Sequence, residues 1–189
     1  MKTKFIIALM VLAFVSCVKE KQAETQTNQK QEQVKTHGQA GVVAAEGEQP
    51  NVLQVAISLP DFSTLVAAVQ AAGVEDALVN AGPLTVFAPL NSAFAKLPEG
   101  TVETLVKPEN KETLTMILIN HVAPANYPIK QLKKEAKKGR KLYMASGKYL
   151  VVENKDGEIY VGGTKILKSV KVSNGWIHVI DDVLVPVEE

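Results

Sequence analysis

The sequence predicts an α+β domain, because helix-forming and strand-forming segments occupy different parts of the chain. One clear strand, Leu84–Ala88, follows a helical stretch that begins near residue 51. Helical patterns return in the middle of the chain, and short strands joined by turn residues fill its last third. This arrangement is typical of an antiparallel sheet flanked by several helices.

The N-terminal residues Met1–Ser16 are typical of a signal peptide. Lys2 and Lys4 precede the apolar run Phe5–Val15, which is shorter than the about 20 residues that span a bilayer. The run ends at Ser16 and Cys17, which resemble a bacterial lipobox, where the cysteine is lipidated and becomes the new N-terminus. A plain secretory signal followed by an incidental cysteine is the alternative.

Composition separates a tether from the folded part. Residues 17–50 are rich in Gln, Glu and Lys and contain no aromatic residue, so they cannot bury enough apolar surface to offset their ordering entropy. We therefore expect a signal peptide over 1–16, a lipidated cysteine and disordered tether over 17–50, and a folded domain over 51–189. The single cysteine and the net charge of +1 exclude a disulfide framework and give no global reason to bind nucleic acid.

The domain is predicted to begin with three helices. The first carries apolar residues at helical spacing, namely Val52, Val55, Ala56 and Leu59. Asp61 is placed to cap the second, Phe62–Ala72, and Gly73 is placed to end it. The third is Val74–Ala81. These helices are alanine-rich and carry no reactive side chains, so we interpret them as packing elements.

After the first strand, which Pro89 stops, the sequence predicts two further helices. Asn91 is placed to cap a short one. The longest is Glu109–Val122, and it places His121 on an apolar face. A histidine in that position is more often a hydrogen-bonded core residue than a ligand, and we expect the former here.

The C-terminal third is predicted to be an antiparallel meander. Its first four strands are Lys141–Ala145, Tyr149–Asn154, Glu158–Val161 and Lys165–Val172. The closing strand follows an Asn-Gly turn. Apolar residues occupy both odd and even positions of Trp176–Ile180, which predicts that this strand is covered on both faces. Val183–Val185 is expected to resume the strand, and Pro186 to end it.

Two segments carry a family resemblance. Leu84–Phe94, LTVFAPLNSAF, and Asn174–Pro186, NGWIHVIDDVLVP, resemble the two signature boxes of the fasciclin domain family. The resemblance covers roughly Asn51–Val187 and implies an antiparallel β-wedge or sandwich flanked by helices. Its structural signature here consists of Asn91, His121, Asn174, Gly175, His178 and Asp181. Some adhesive relatives carry an integrin-binding Asp-Ile pair where this chain has Ser169 and Val170, so that activity is not carried over.

We expect no enzyme, cofactor or metal site. Cys17 lies outside the domain, and no serine sits in a Gly-x-Ser-x-Gly elbow. The two histidines of the domain are far apart in the sequence, whereas metal sites need clustered ligands. Asp181 and Asp182 point to opposite faces of a strand, and no glycine-rich phosphate loop precedes a helix.

The segment Ile129–Gly139 is predicted to be a helix with two different faces. One face carries five lysines at helical spacing: Lys130, Lys133, Lys134, Lys137 and Lys138. The other carries Ile129, Leu132 and Ala136. The lysines are either an ordinary solvated face or a contact surface for an anionic polymer or lipid headgroups. No aromatic residue is interleaved among them, which argues against single-stranded nucleic acid.

The resemblance implies a non-catalytic interaction module that serves cell adhesion or binds matrix proteins or polymers. Together with the lipobox, it places the protein at the bacterial cell envelope, periplasmic or cell-surface. The expected partners are the membrane, through the anchor, and an extracellular protein or polysaccharide, with no nucleic acid. The rival hypothesis is a binder of a small apolar ligand, because some family members hold carotenoid-like molecules.

Overall fold

The computed structural model describes residues 48–80 and 82–186. The predicted signal peptide, Cys17 and the tether up to residue 47 lie outside the described residues. The described part contains seven α-helices and seven strands, so the α+β prediction is confirmed. No single described helix is long and apolar enough to cross a membrane, although Val52–Ser58 and Pro60–Ala72, bent by 109° relative to each other, are long and apolar enough when taken together.

The helices lie mainly in the first two thirds of the domain. They are α1 Val52–Ser58, α2 Ser63–Ala72, α3 Glu75–Asn80, α4 Asn91–Phe94, α5 Thr101–Leu105, α6 Lys111–Ile119 and α7 Ile129–Lys137. Gly73 ends α2 in the left-handed conformation, with φ of 68°, as its position after the apolar stripe predicts.

The strands form one sheet in the order β2-β1-β7-β6-β5-β4-β3. They are β1 Leu84–Pro89, β2 Val122–Ala123, β3 Lys141–Tyr143, β4 Tyr149–Lys155, β5 Glu158–Val161, β6 Thr164–Val172 and β7 Gly175–Ile180. The predicted meander is confirmed, since each strand from β3 to β7 is antiparallel to the next. The last strand, β7, then lies parallel to β1. The two ends of the sheet approach each other where the Ala145 N–H donates to the Val122 carbonyl at 2.7 Å.

The closing strand separates two apolar clusters. Ile177 and Val179 pack in the cluster formed with α1, α2 and α6. Ile180 packs on the other side, with Leu132 of α7 and Leu142 of β3. All four residues from Ile177 to Ile180 are buried, which confirms that β7 is covered on both faces and explains its apolar residues at both parities.

The capping predictions for Asp61 and Asn91 are wrong. A single 3-10 turn, Pro60–Phe62, precedes α2, and Asp61 is exposed. Asn91 does not cap its own helix; its Oδ1 accepts the Thr64 N–H in the first turn of α2 at 3.0 Å. The Asn91 amide also donates to Pro60 O and Ser63 Oγ. The cap of α2 therefore comes from a tertiary contact, which a local pattern cannot reveal.

Several predicted boundaries also differ. The central helix, α6, ends at Ile119, and Val122 belongs to β2. The strand predicted at Lys141–Ala145 ends at Tyr143, because the next N–H groups bond to Lys148 and to β2. Val183–Val185 is not a strand; the sheet ends at Ile180, and side chains at the end of α6 bind the segment that follows.

Candidate interaction surfaces

Asn174 and Gly175, at the turn before β7, hold three elements together. The Asn174 side chain accepts the Val52 N–H at 3.1 Å and donates to the Leu78 carbonyl at 2.7 Å, so it ties α1 to α3. Its backbone carbonyl accepts the Leu84 N–H of β1 at 3.0 Å. Gly175 has φ of 152°, and a Cβ there would lie 1.7 Å from the Leu84 carbonyl oxygen. Only glycine allows β1 to approach this closely.

His178 is fully buried at the centre of β7. Its Nε2–H donates to the Tyr127 carbonyl at 2.7 Å, and its Nδ1 accepts the Ser169 hydroxyl at 2.8 Å. Burial lowers the pKa of His178, which keeps the ring neutral. A Ser–His pair can activate a nucleophile, but here the imidazole is 0% exposed and both nitrogens are occupied. We therefore assign this pair a structural role.

His121 closes a second buried network at the end of α6. Its Nδ1–H donates to the Ile117 carbonyl at 2.8 Å, and its Nε2 accepts the Leu184 N–H at 2.9 Å. Burial lowers the pKa of His121 to about 4. The neighbouring Asn120 amide donates to the Leu184 carbonyl and accepts the Ser146 hydroxyl.

The signature side chains of Asn91, His121, Asn174 and His178 thus bond to separate parts of the fold and do not share one site. Asp181, the sixth signature residue, accepts the Lys96 ammonium at its backbone carbonyl. Among residues 48–80 and 82–186, no group of three or more His, Cys, Asp or Glu could hold a metal ion.

The five lysines Lys130, Lys133, Lys134, Lys137 and Lys138, here called the lysine face, are all exposed. The opposite side of α7 packs on the sheet, where Leu132 is 0% exposed. Glu135, which the lysine spacing did not point to, is buried on this helix. Its carboxylate accepts a hydrogen bond from the Gln131 amide and forms an ion pair with Arg140 at 3.7 Å. The cation that pairs with Glu135 is therefore Arg140 and not a lysine of the lysine face.

No carboxylate of the described residues forms an ion pair with the lysine face. The three ion pairs in this part of the chain are Arg140–Glu135, Lys155–Glu153 and Lys165–Glu158. None of them uses a lysine of α7. Four of these lysines instead line a shallow depression together with Ala136 and Asn154, so positive charge surrounds an open concave surface.

An apolar cavity of about 350 Å³ lies between β1 and the N-terminal helices. Its wall includes Leu53 of α1, Leu65 and Val66 of α2, Leu78 of α3 and Val86 of β1. His121 also lines it, but both ring nitrogens are already bonded. Periodicity predicts which residues face inward, but not whether they fill the space between the elements, so the sequence could not reveal this cavity.

Comparisons with known proteins point to one family. The Fasciclin domain model matches residues 60–186. Protein sll1483 of Synechocystis sp. is 44% identical over 144 residues, which cover 76% of this chain and 77% of that protein. Immunogenic protein MPB70 of Mycobacterium bovis is 32% identical over 157 residues, which cover 77% and 75%.

The fold is also similar to a solved structure, a FAS1 domain pair from the insect cell adhesion molecule Fasciclin I. The TM-score is 0.65 at 24% identity, and the match covers 74% of this chain and 52% of the solved chain. This chain therefore spans about half the length of that domain pair.

Proposed function

The chain belongs to the fasciclin domain family, and on that premise we propose that it is an extracytoplasmic, non-catalytic interaction module. A lipid on Cys17 holds it at the bacterial cell envelope, and the lysine face of α7 binds an anionic extracellular partner. The family membership supports an interaction role, since the solved relative comes from a cell adhesion molecule. The choice of an anionic partner rests on one observation: the five exposed lysines of the lysine face form no ion pair among the described residues.

Rigidity favours the lysine face as a contact surface. Leu132 anchors α7 in the second apolar cluster, and Ile129 and Ala136 of the same helix pack against that cluster. The helix backbone is therefore already ordered before a partner arrives, and only the lysine side chains lose freedom on binding. Lys134 and Lys137 also lie in the last turn, where the helix dipole favours positive charge.

Retention of the protein on an immobilised acidic polysaccharide tests this role. The full-length protein should elute at higher salt than a variant with Lys133, Lys134 and Lys137 changed to Gln, because exposed charges are screened within roughly 8 Å at physiological ionic strength. A matched control changes three exposed lysines elsewhere, Lys107, Lys148 and Lys168, to Gln. If both triple variants elute together, the lysine face is an ordinary solvated surface.

The anchor has its own test. Cys17→Ala should move the protein from the membrane fraction to the soluble fraction or leave the leader uncleaved, because the acylated cysteine supplies the hydrocarbon that holds the protein on the membrane. Soluble, mature wild-type protein without acyl mass would contradict the lipoprotein assignment.

A second candidate function, binding of a small apolar ligand, is favoured by the cavity beside β1. Protein interiors are normally packed without large voids, and about 350 Å³ falls at the low end of the roughly 300–1,000 Å³ of known ligand sites. This size suits a short apolar molecule, or one end of a longer carotenoid-like polyene.

Absorbance of the protein purified from its native cells separates the two candidates. A co-purifying chromophore would favour the ligand binder. Ala77 lines the cavity from an exposed position on α3, so Ala77→Phe should reduce the bound chromophore. Ala67→Phe, on an exposed position of α2 outside the cavity, is the matched control. Equal chromophore content in both variants would exclude this cavity as the site.

A further inference from the structure

The turn between β6 and β7 borders a cleft with the composition of a sugar-binding site. The cleft measures about 260 Å³ and lies on a different element from the lysine face. Its side-chain wall combines one aromatic residue, Trp176, with Asn126, Lys171 and Ser173. Because the volume is below the roughly 300 Å³ at which drug-sized sites begin, the cleft suits a single ring.

Trp176 offers a flat aromatic surface at the cleft. It is the only tryptophan of the chain, and its indole lies nearly parallel to the buried imidazole of His178, with 10° between the planes and 6.4 Å between the centroids. His178 is itself held by Ser169 and Tyr127. The indole is only partly buried, so an apolar surface remains for a ligand to cover.

Lys171 and Trp176 are placed side by side. They are direct partners in the β6–β7 register, so their side chains leave the same face of the sheet as cross-strand neighbours. Lys171 is exposed, and the three ion pairs of the described residues do not include it. A cation beside an aromatic platform fits a ligand that has both a carboxylate and an apolar ring face.

The loop that carries Asn126 is fixed from both sides. The Thr85 hydroxyl donates to the Ala125 carbonyl at 2.8 Å and accepts the Tyr127 N–H at 2.9 Å. Asn126, between these two residues, is exposed at the cleft. Among residues 48–80 and 82–186, no hydrogen bond occupies the side chain of Asn126 or Ser173, in contrast to that of Asn174. Both are therefore available to sugar hydroxyls.

We propose that this cleft binds one carboxylated sugar ring of the uronate class. The C–H face of the ring packs on Trp176, the carboxylate pairs with Lys171, and the hydroxyls bond to Asn126 and Ser173. Uronate binding at this cleft is separate from the polyanion binding proposed for α7, because none of these residues belongs to the lysine face. The cleft would recognise a single unit, whereas the lysine face responds to charge along a polymer.

Fluorescence of Trp176 reports directly on this cleft. Titration of the full-length protein with sodium glucuronate should give a saturable change in emission, and sodium acetate at the same ionic strength should not reproduce it. Glucose should bind at least about tenfold more weakly, since a charge-assisted hydrogen bond is worth roughly 1.5–3 kcal/mol. No saturable change, or equal affinity for glucose and glucuronate, overturns the proposal.

Variants separate this site from the lysine face. Lys171→Gln should weaken glucuronate binding by about tenfold or more. Lys168→Gln, exposed on the same strand but outside the cleft, should leave it unchanged. The triple α7 variant should also retain it, so loss of polysaccharide retention and loss of monosaccharide binding are independent results. An equal effect of Lys168→Gln and Lys171→Gln contradicts the assignment.

Discussion

The Nε2 atom of His121 accepts the backbone N–H of Leu184 at 2.9 Å. The adjacent Asn120 donates to the carbonyl of the same leucine, also at 2.9 Å. Two consecutive side chains at the end of α6 therefore satisfy both backbone polar groups of one residue in the C-terminal segment. This explains how the segment after β7 stays fixed without pairing as a strand.

His121→Leu should lower the free energy of unfolding by about 1–3 kcal/mol, because the buried Leu184 N–H loses its acceptor while most of the side-chain volume is kept. Urea titration measures the change. Asp182→Ala is the control, since Asp182 accepts the Val183 N–H at an exposed position where water can replace it. That variant should stay within about 0.5 kcal/mol of wild type. If both variants lose the same free energy of unfolding, the hydrogen bond from the Leu184 N–H to His121 has no special importance for stability.

Acidification should weaken the fold through the buried histidines. The folded pKa of His121 is about 4 against an ordinary 6.5, so the stability it contributes is complete above about pH 6.5. As the pH falls from there to about 4, the unfolded chain takes up a proton that folded His121 does not, and roughly 3 kcal/mol is lost. The lowered pKa of His178 acts in the same direction.

Urea titrations across this pH range, on wild type and His121→Leu, isolate the contribution of His121, because the carboxylates titrate alike in both proteins. The variant should lose less stability on acidification than wild type does. Parallel pH profiles would contradict the buried neutral state of His121.

Gly175→Ala should disrupt the pairing of β7 with β1. The new Cβ would lie 1.7 Å from the Leu84 carbonyl oxygen, so the parallel strands must separate. Gly147→Ala is the matched control, because Gly147 also has positive φ, at 82°, but has open space around it. The control should cost only about 1–2 kcal/mol. Circular dichroism and urea titration should show a much larger loss for Gly175→Ala, and similar losses would refute the close approach.

Asn91→Ala should cost about 1 kcal/mol, because it removes the acceptor for the N-terminal N–H of α2. Asp61→Ala should change the unfolding midpoint little, although Asp61 is nearer in sequence. If Asp61→Ala is the more damaging substitution, the cap of α2 has been misassigned.

Periodicity and turn residues predict the local elements well. Apolar residues at both odd and even positions of β7 correspond to the two apolar clusters that cover its faces. Gly73 predicts the end of α2, and the lysine spacing predicts α7, because each of these signals lies within or next to a single element. Contacts between distant segments are different. The cap from Asn91, the parallel pairing of β1 with β7 and the meeting of Asn126 with Trp176 depend on tertiary placement. The cavity depends on how completely side chains fill space, which no pattern of residue types specifies.

The salt dependence of binding to an acidic polysaccharide tests the role of the lysine face most directly. The dissociation constant of the full-length protein should rise steeply with salt, because lysine contacts release counterions from the polymer. The triple variant at Lys133, Lys134 and Lys137 should bind more weakly and show a shallower slope, while the control triple at Lys107, Lys148 and Lys168 should keep the wild-type slope. Identical slopes for all three proteins would contradict a polyanion-binding function for α7.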